Sequence, residues 1–514
     1  MKYYRILFFL SAFIVFGHIS CKKDIPGKEP GDKEDEVCEL THDPIETQIR
    51  DSVFYYSKLF SLWEEHLPPR KLDDIDNKEI VQRYTMKYCT GEEVLQSLMD
   101  LTPLREGKPV DRYSFLDRTK EVSDEIQEGV ARSFGMYVFY LATGASDGDA
   151  ELYVRMVDKG SPAYDAGIRR GTHILSLNGN TNIGYNAQMQ KDFKDINEAL
   201  ASNKMDVKFE NPNSTAQEKS LDNTQFDLDP IIVDTVYTVS NKKIGYFAYN
   251  SFINVGSENN RNNYYTDMEV MFDRFESENI SDLIIDLRYN GGGSVNTAEY
   301  LANRLAPASA DSELMYSNKV NQYLEEFGWT EPGDIFAPVH FKKEGDLDLT
   351  KVYFIVSSGT ASASELLINV LEPYMDVKLV GSYGPDEKGN TVPENTYGKP
   401  VGFFGYPIVD EDTELYVTSF QMMNKDGESD YFQGITPDYH SFEGFFKDFG
   451  DTEEDMTAAA INHIVSNDFE PVGLRKMASI AGRKSERKVM VKDFKGDPKN
   501  YNMYKFFTNT SKGK

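Results

Sequence analysis

The rhythm of apolar and polar positions changes several times along this 514-residue chain. In "IRDSVFYYSKLFSLWEEHL" (49–67) the apolar residues Val53, Phe54, Leu59, Phe60 and Trp63 recur at helical spacing on one side. "TGEEVLQSLMDL" (90–101) opens on a Thr cap with acidic residues in the first turn, a helix start. These signals predict an N-terminal helical domain over 46–125 that packs on a neighbour. Farther on the pattern shortens to strand–turn–helix units. "SDLIIDLRYNGGGSVNTAEYLANRL" (281–305) reads as a buried strand, a glycine turn and a helix. "VYFIVSSGTASASELLINVLEPYM" (352–375) repeats the plan, with serines at the turn and Leu366, Leu367, Val370 and Leu371 on one helical face. A closing helix is expected over 452–466, capped by Thr452. Such units predict an α/β class.

The ends of the chain read differently. Lys2 and Arg5 precede the apolar stretch "ILFFLSAFIVF" (6–16), shorter than the ~20 residues a spanning helix needs, so residues 1–20 read as a signal peptide. "GHISC" then resembles a bacterial lipoprotein signal in which Cys21 is lipidated, although His18 stands where an aliphatic residue is usual. Residues 21–45 are charged, contain Pro and Gly and have little to bury: a flexible tether. The formal net charge of −29 argues against a general nucleic-acid binder. Against that acidity, residues 471–514 carry twelve Lys/Arg and three Asp/Glu, and read as a basic, solvated extension. Cys38 and Cys89 have no diagnostic spacing, though an oxidising compartment would let them pair.

Candidate chemistry lies at the two turns. The glycines at 291–293 let backbone N–H groups face an anion, either a phosphate or a developing oxyanion, or simply supply the turn. No phosphate-loop pattern is present. At the second turn, Ser362-Ala363-Ser364-Glu365 fits a helix capping box. A helix N-terminus is also where a nucleophile is exposed. No histidine sits in a recognisable catalytic motif. A lysine can act as base only when burial keeps it neutral, and Lys399 lies among Tyr397, Phe403, Phe404 and Tyr406.

Two resemblances follow from longer patterns. Gly160-Ser161-Pro162-Ala163, Ala166-Gly167-Ile168, Gly171 and "ILSLNGN" resemble a PDZ domain over roughly 126–228, with Thr172 in place of the common aspartate. That implies capture of an extended chain end as an added strand, with Phe134 and Gly135 in the carboxylate-binding loop. The order PDZ, then "DLRYNGGG" (286–293), "ASASE" (361–365), "TYGK" (396–399) and "GITPD" (434–438) is similar to the C-terminal processing (tail-specific) serine proteases.

The resemblance implies Ser362 as nucleophile, Lys399 as general base, and the N–H groups of Gly292 and Ala363 as oxyanion hole, with no metal or cofactor. It implies an α/β protease core over 229–470 of crossed sheets with flanking helices, beside a PDZ-like β-rich domain and the N-terminal helical block. The protein would be an exported, membrane-anchored lipoprotein of the cell envelope that cleaves polypeptides near a C-terminus held by the PDZ domain. Two departures stand out. The insert "SYGPDEKGNTVPEN" offers a rival base, Lys388, and Phe403 occupies the place where many relatives carry a glutamine that orients the lysine. The second departure leaves open a peptide-binding lipoprotein that has lost turnover.

Overall fold

The computed structural model describes residues 43–142, 149–386, 389–410, 412–470, 489–494 and 502–505. The expected signal peptide, most of the tether, Cys21, Cys38 and Lys388 lie outside them. Among the described residues no helix is long and apolar enough to cross a membrane. Cys89 is disulfide-bonded, and its partner is outside the described residues.

The first helix, α1 (Pro44–Phe60), starts where Asp43 accepts from the Ile45 N–H at 2.8 Å and Pro44 fills a position that needs no donor. Helix α2 (Gly91–Met99) is capped by Thr90 as its sequence predicts, through the Glu93 N–H at 3.2 Å. Val53, Phe54, Leu59 and Phe60 are buried, but Trp63 falls beyond the end of α1 and packs in a different cluster, near Tyr113 and Phe403. The helical block is no separate body: Ile49, Phe60 and Leu98 share one apolar core with the α/β sheets.

Strands β1 (Met136–Ala142), β2 (Glu151–Val157), β3 (His173–Leu177), β4 (Lys204–Glu210) and β5 (Gln217–Asp222) form an antiparallel sheet in chain order. In the turn after β2, Ser161 caps a short helix through the Tyr164 N–H at 3.2 Å, and Ala163 and Ile168 are fully buried. Thr172 accepts from the Arg169 N–H at 3.0 Å and donates to Asn211, which accounts for a hydroxyl at a place where aspartate is common.

The larger part is built on β6 (Ile231–Val239), β7 (Lys242–Tyr249) and β8 (Asp282–Asp286), with α3 (Asn263–Glu278) between the last two. The glycine turn carries a short strand, β9 (Gly292–Ser294), and leads into α4 (Val295–Leu305). Then follow β10 (Leu314–Val320), β11 (Val339–His340), β12 (Lys351–Val356), α5 (Ala363–Leu371), β13 (Asp376–Gly381), β14 (Val401–Pro407), β15 (Glu414–Asn424), β16 (Tyr439–His440) and α6 (Asp455–Ser466). Six strands make one sheet, in the order β6-β7-β8-β12-β13-β16, parallel from β7 onward.

Both faces of this sheet are covered, so its strands are apolar throughout and the side-chain alternation sorts them between two cores. Leu283, Ile285, Val352 and Phe354 face the large core; Ile244, Tyr246, Ile284, Tyr353 and Ile355 face α6. Helix α6 begins three residues later than expected, and its cap is Glu454, which accepts from Thr457, not Thr452. Glu454 also pairs with buried Arg288 at 2.9 Å, so the cap locks α6 to the "DLR" turn. Helix α5 is buried all round rather than on one face, because a second sheet covers its other side.

That second sheet holds a departure from the sequence reading. Residues 489–493 and 502–505 of the basic tail are strands rather than solvated extension. Strand β17 (Val489–Asp493) adds antiparallel to β1, at the edge of the smaller sheet. Strand β18 (Asn502–Lys505) lies between β9 and β14 in a sheet ordered β9-β18-β14-β15-β10-β11, with Phe115–Asp117 paired to β15.

Candidate active site

The turn from β12 into α5 brings Ser362 to a backbone conformation of φ +64°, ψ −111°. A non-glycine residue held there costs on the order of 1–3 kcal/mol and persists only where its surroundings enforce it. The enforcement is visible. Thr360 Oγ1 donates to the Leu287 carbonyl at 2.7 Å, the Ala361 N–H to the Asn290 carbonyl at 3.1 Å, and the Ser357 hydroxyl to the Arg288 carbonyl. The serine turn is thus bolted to the "DLRYN" turn. Asn290 is fully buried and also donates to the Tyr249 carbonyl at 2.9 Å, tying both turns to the end of β7.

Lys399 reaches the same place from just before β14. Its Nζ is 3.2 Å from Ser362 Oγ, and both residues are 0% exposed. Burial holds the amine well below the usual lysine range, with Glu365 and Asp111 partly offsetting the effect. A lysine kept neutral can take a serine's proton, so this arrangement is one that a nucleophile and its base would need. None of the described histidines bonds to Ser362, whereas Lys399 does; Lys388 lies outside the described residues.

Glu365 organises both halves. Its carboxylate accepts from the N–H groups of Ser362 (2.8 Å), Gly398 (2.8 Å) and Lys399 (2.9 Å) and from the Thr396 hydroxyl. The bond to the Ser362 N–H is the glutamate half of the predicted capping box. Its other bonds, to "TYGK", are tertiary and could not be read from S-x-x-E. Burial pushes this carboxyl up, while its donors pull the other way. Asp111, buried and likewise pushed up by burial, accepts from the Ser114 hydroxyl at 2.7 Å and the Thr418 hydroxyl at 3.1 Å. Tyr113, beside it, donates to the Gly398 carbonyl at 2.7 Å. Asp111 and Tyr113 carried no sequence signal, because 285 residues separate Tyr113 from Gly398.

The place of the usual glutamine is also settled in space. The Phe403 ring lies under the Lys399 amine, with Nζ 3.6 Å from the ring centroid, and packs edge-on to Phe115. The face of an aromatic ring attracts N–H groups and cations, so Phe403 is a floor for the amine.

The remaining expected residues fall as follows. Ala363 is the first helical residue of α5, and its N–H is one the helical ladder does not use. Gly292 departs from expectation, because its N–H donates to Asn290 Oδ1 at 2.9 Å and does not point at an open site. Its neighbour Gly293 has φ +138°, and a Cβ there would lie 2.5 Å from the Phe252 carbonyl oxygen, so only glycine fits. Phe134 is buried in the core of the smaller sheet. The Gly135 N–H bonds to Ser133 Oγ at 2.9 Å, just before β1 begins. The smaller sheet is joined to the "DLRYN" turn through Arg170, which pairs with Glu443 at 2.7 Å and donates to the Tyr289 hydroxyl at 3.2 Å.

Comparison with known proteins agrees with this architecture. Residues 243–441 match the model of peptidase family S41. The chain is 25% identical over 294 residues to the carboxy-terminal processing protease CtpA of Bacillus subtilis, a match covering 56% of this chain and 53% of the relative. It is 21% identical over 382 residues to CtpB of the same organism, covering 72% of this chain and 67% of the relative. The matches thus span about half to two thirds of these relatives' lengths. The crystal structure of a candidate S41 protease from Bacteroides fragilis superposes with a TM-score of 0.57 at 22% identity, over 80% of this chain and 96% of that one. That likeness speaks for the fold.

Proposed function

From a chain that carries a peptidase family S41 domain over residues 243–441, we propose an exported serine endopeptidase that works through a Ser362/Lys399 dyad. The observation that carries the reading is the 3.2 Å contact between Lys399 Nζ and the hydroxyl of a serine held at φ +64° in a dry site. Neutral Lys399 takes the Ser362 proton as Oγ adds to a peptide carbonyl. The ammonium then protonates the leaving amine, and water repeats the sequence on the acyl-enzyme.

The oxyanion would be met by the Ala363 N–H and by the glycine turn at 291–293, where Gly292 serves only if it releases Asn290 Oδ1. Residues 126–228 would be the PDZ-like unit, holding a substrate's C-terminal stretch as a strand on β1 beside Phe134 and Gly135. Cys21 would carry a lipid at the end of the 21–45 tether, and the disulfide at Cys89 suits an oxidising compartment. The N-terminal block at 46–125, the core at 229–470 and the extension at 471–514 complete the organisation.

The test is cleavage of an unstructured protein by wild type, Ser362→Ala and Lys399→Ala, with thermal melts alongside. Both variants should melt as wild type or higher and lose at least about a thousandfold in rate. A folded Ser362→Ala variant that still cleaves would sink the assignment. A second reading, a peptide-binding protein without turnover, is favoured by the Gly292 N–H being engaged by Asn290. It predicts peptide binding by wild type with no cleavage of any unstructured chain.

A further inference from the structure

The tail strands pair with β1, the strand of the proposed peptide groove, and with β9 of the glycine turn and β14, which carries Phe403. We propose that residues 489–494 and 502–505 are the protein's own tethered ligand, bound as a substrate is bound, so that they compete with incoming chains for both groove and cleft. The inference rests on the reading of the smaller sheet as a peptide binder and the larger part as a protease.

The first contact is in the groove. Strand β17 extends the smaller sheet by one strand, with Val489 opposite Ala142, Met490 opposite Leu141 and Asp493 opposite Phe139. This is strand addition, in which main-chain bonds give affinity and side chains give selectivity. The selectivity is visible just beyond it. Phe494 packs against the rings of Tyr140 and Phe193 at 5.6 and 5.8 Å, and the Lys492 amine sits 4.3 Å from the centre of Phe193. The groove therefore takes an extended segment with a basic residue followed closely by an aromatic one.

The second contact is in the cleft. Strand β18 runs parallel to β9 on one side, with Gly292 opposite Asn502, Gly293 opposite Met503 and Ser294 opposite Tyr504. On its other side Phe403 is opposite Tyr504 and Phe404 is opposite Lys505. The tail thus separates the glycine turn from the strand that floors Lys399, and it is the link that joins β9 to that sheet. Eight residue steps separate Phe494 from Asn502, so both strands belong to one short stretch of the sequence. Such a ligand is present at an effective concentration on the order of millimolar, which free substrates must exceed or outbind. Its charge suits the role: residues 471–514 hold twelve Lys/Arg against three Asp/Glu, on a chain of net charge −29.

The decisive variant is Met503→Pro in the full chain. Residue 503 lies between two strands, so a missing N–H and a fixed φ break the ladder without removing the tail. A fluorescent peptide of residues 487–506 is added to wild type and variant, both also carrying Ser362→Ala, and binding is read by anisotropy. The variant should bind the peptide at least tenfold more tightly than the parent, and a chain ending at residue 488 should match it. Equal binding to all three chains, or binding to none, overturns the inference. In the hydrolytic background the variant should cleave an unstructured protein severalfold faster than wild type, with added peptide raising KM and leaving kcat unchanged. If no chain cleaves but the binding difference holds, the tail is the ligand and the protease reading fails. If all cleave alike and none binds the peptide, the protease reading stands and the tethered ligand fails.

Discussion

Phe403→Leu is the sharpest probe of how this site holds its base. The amine of Lys399 lies 3.6 Å from the Phe403 ring centre, and both residues are buried. A desolvated cation over a ring is stabilised by about 2 kcal/mol, so the ring favours the ammonium form of an amine that burial pushes down. Leucine keeps much of the bulk and lacks the ring face. The pKa should therefore fall further, and the acidic limb of the rate profile should move toward lower pH.

The plateau should also drop about tenfold, because an amine without its floor samples positions away from Ser362 Oγ. Inactivation by a small serine-directed fluorophosphonate, followed from pH 5 to 10, reads both effects without needing the peptide groove. Phe403→Gln should restore the plateau by offering a carbonyl acceptor. An unmoved limb with an unchanged plateau would mean that Phe403 only fills space. A limb displaced to higher pH would contradict the sign of the argument, provided the melts show a folded variant.

Other consequences follow from the same geometry. Because the Lys399 pKa is depressed in the folded state, the unfolded chain binds more protons below the ordinary lysine pKa, and stability rises with pH toward it. Lys399→Met should therefore raise Tm at pH 7, a gain that melts should show shrinking toward pH 10. Glu454, held at about 2 by Arg288, gives stability present above its unfolded pKa and lost as pH falls toward 2. Glu454→Gln should cost about 3 kcal/mol at pH 7 and flatten the acid limb of urea-denaturation stability between pH 4.5 and 2. Glu365→Gln puts an amide where a carboxylate accepts from Ser362, Gly398, Lys399 and Thr396. It should lose about 2–4 kcal/mol in denaturant unfolding and most of the fluorophosphonate reactivity; near-wild-type values would show that these bonds are incidental.

The sequence by itself determined the local chemistry. Strand–turn–helix rhythm placed Ser362 at a helix start, aromatic neighbours marked Lys399 as a lysine that could be dried, and Thr90 announced its helix. These features depend on residues within a turn or two of one another, where backbone sterics and orphan N–H groups act directly. What only the tertiary structure decided is everything that joins distant segments. Glu365 reads locally as a cap partner, yet it grips "TYGK" some 31 to 34 residues away. Thr452 had the composition of a cap, yet Glu454 took the role because buried Arg288 needed a second carboxylate. The tail looked solvated because its charges and polar residues give no apolar period. Its strands are held by backbone ladders to β1, β9 and β14, and main-chain hydrogen bonds are blind to side-chain pattern.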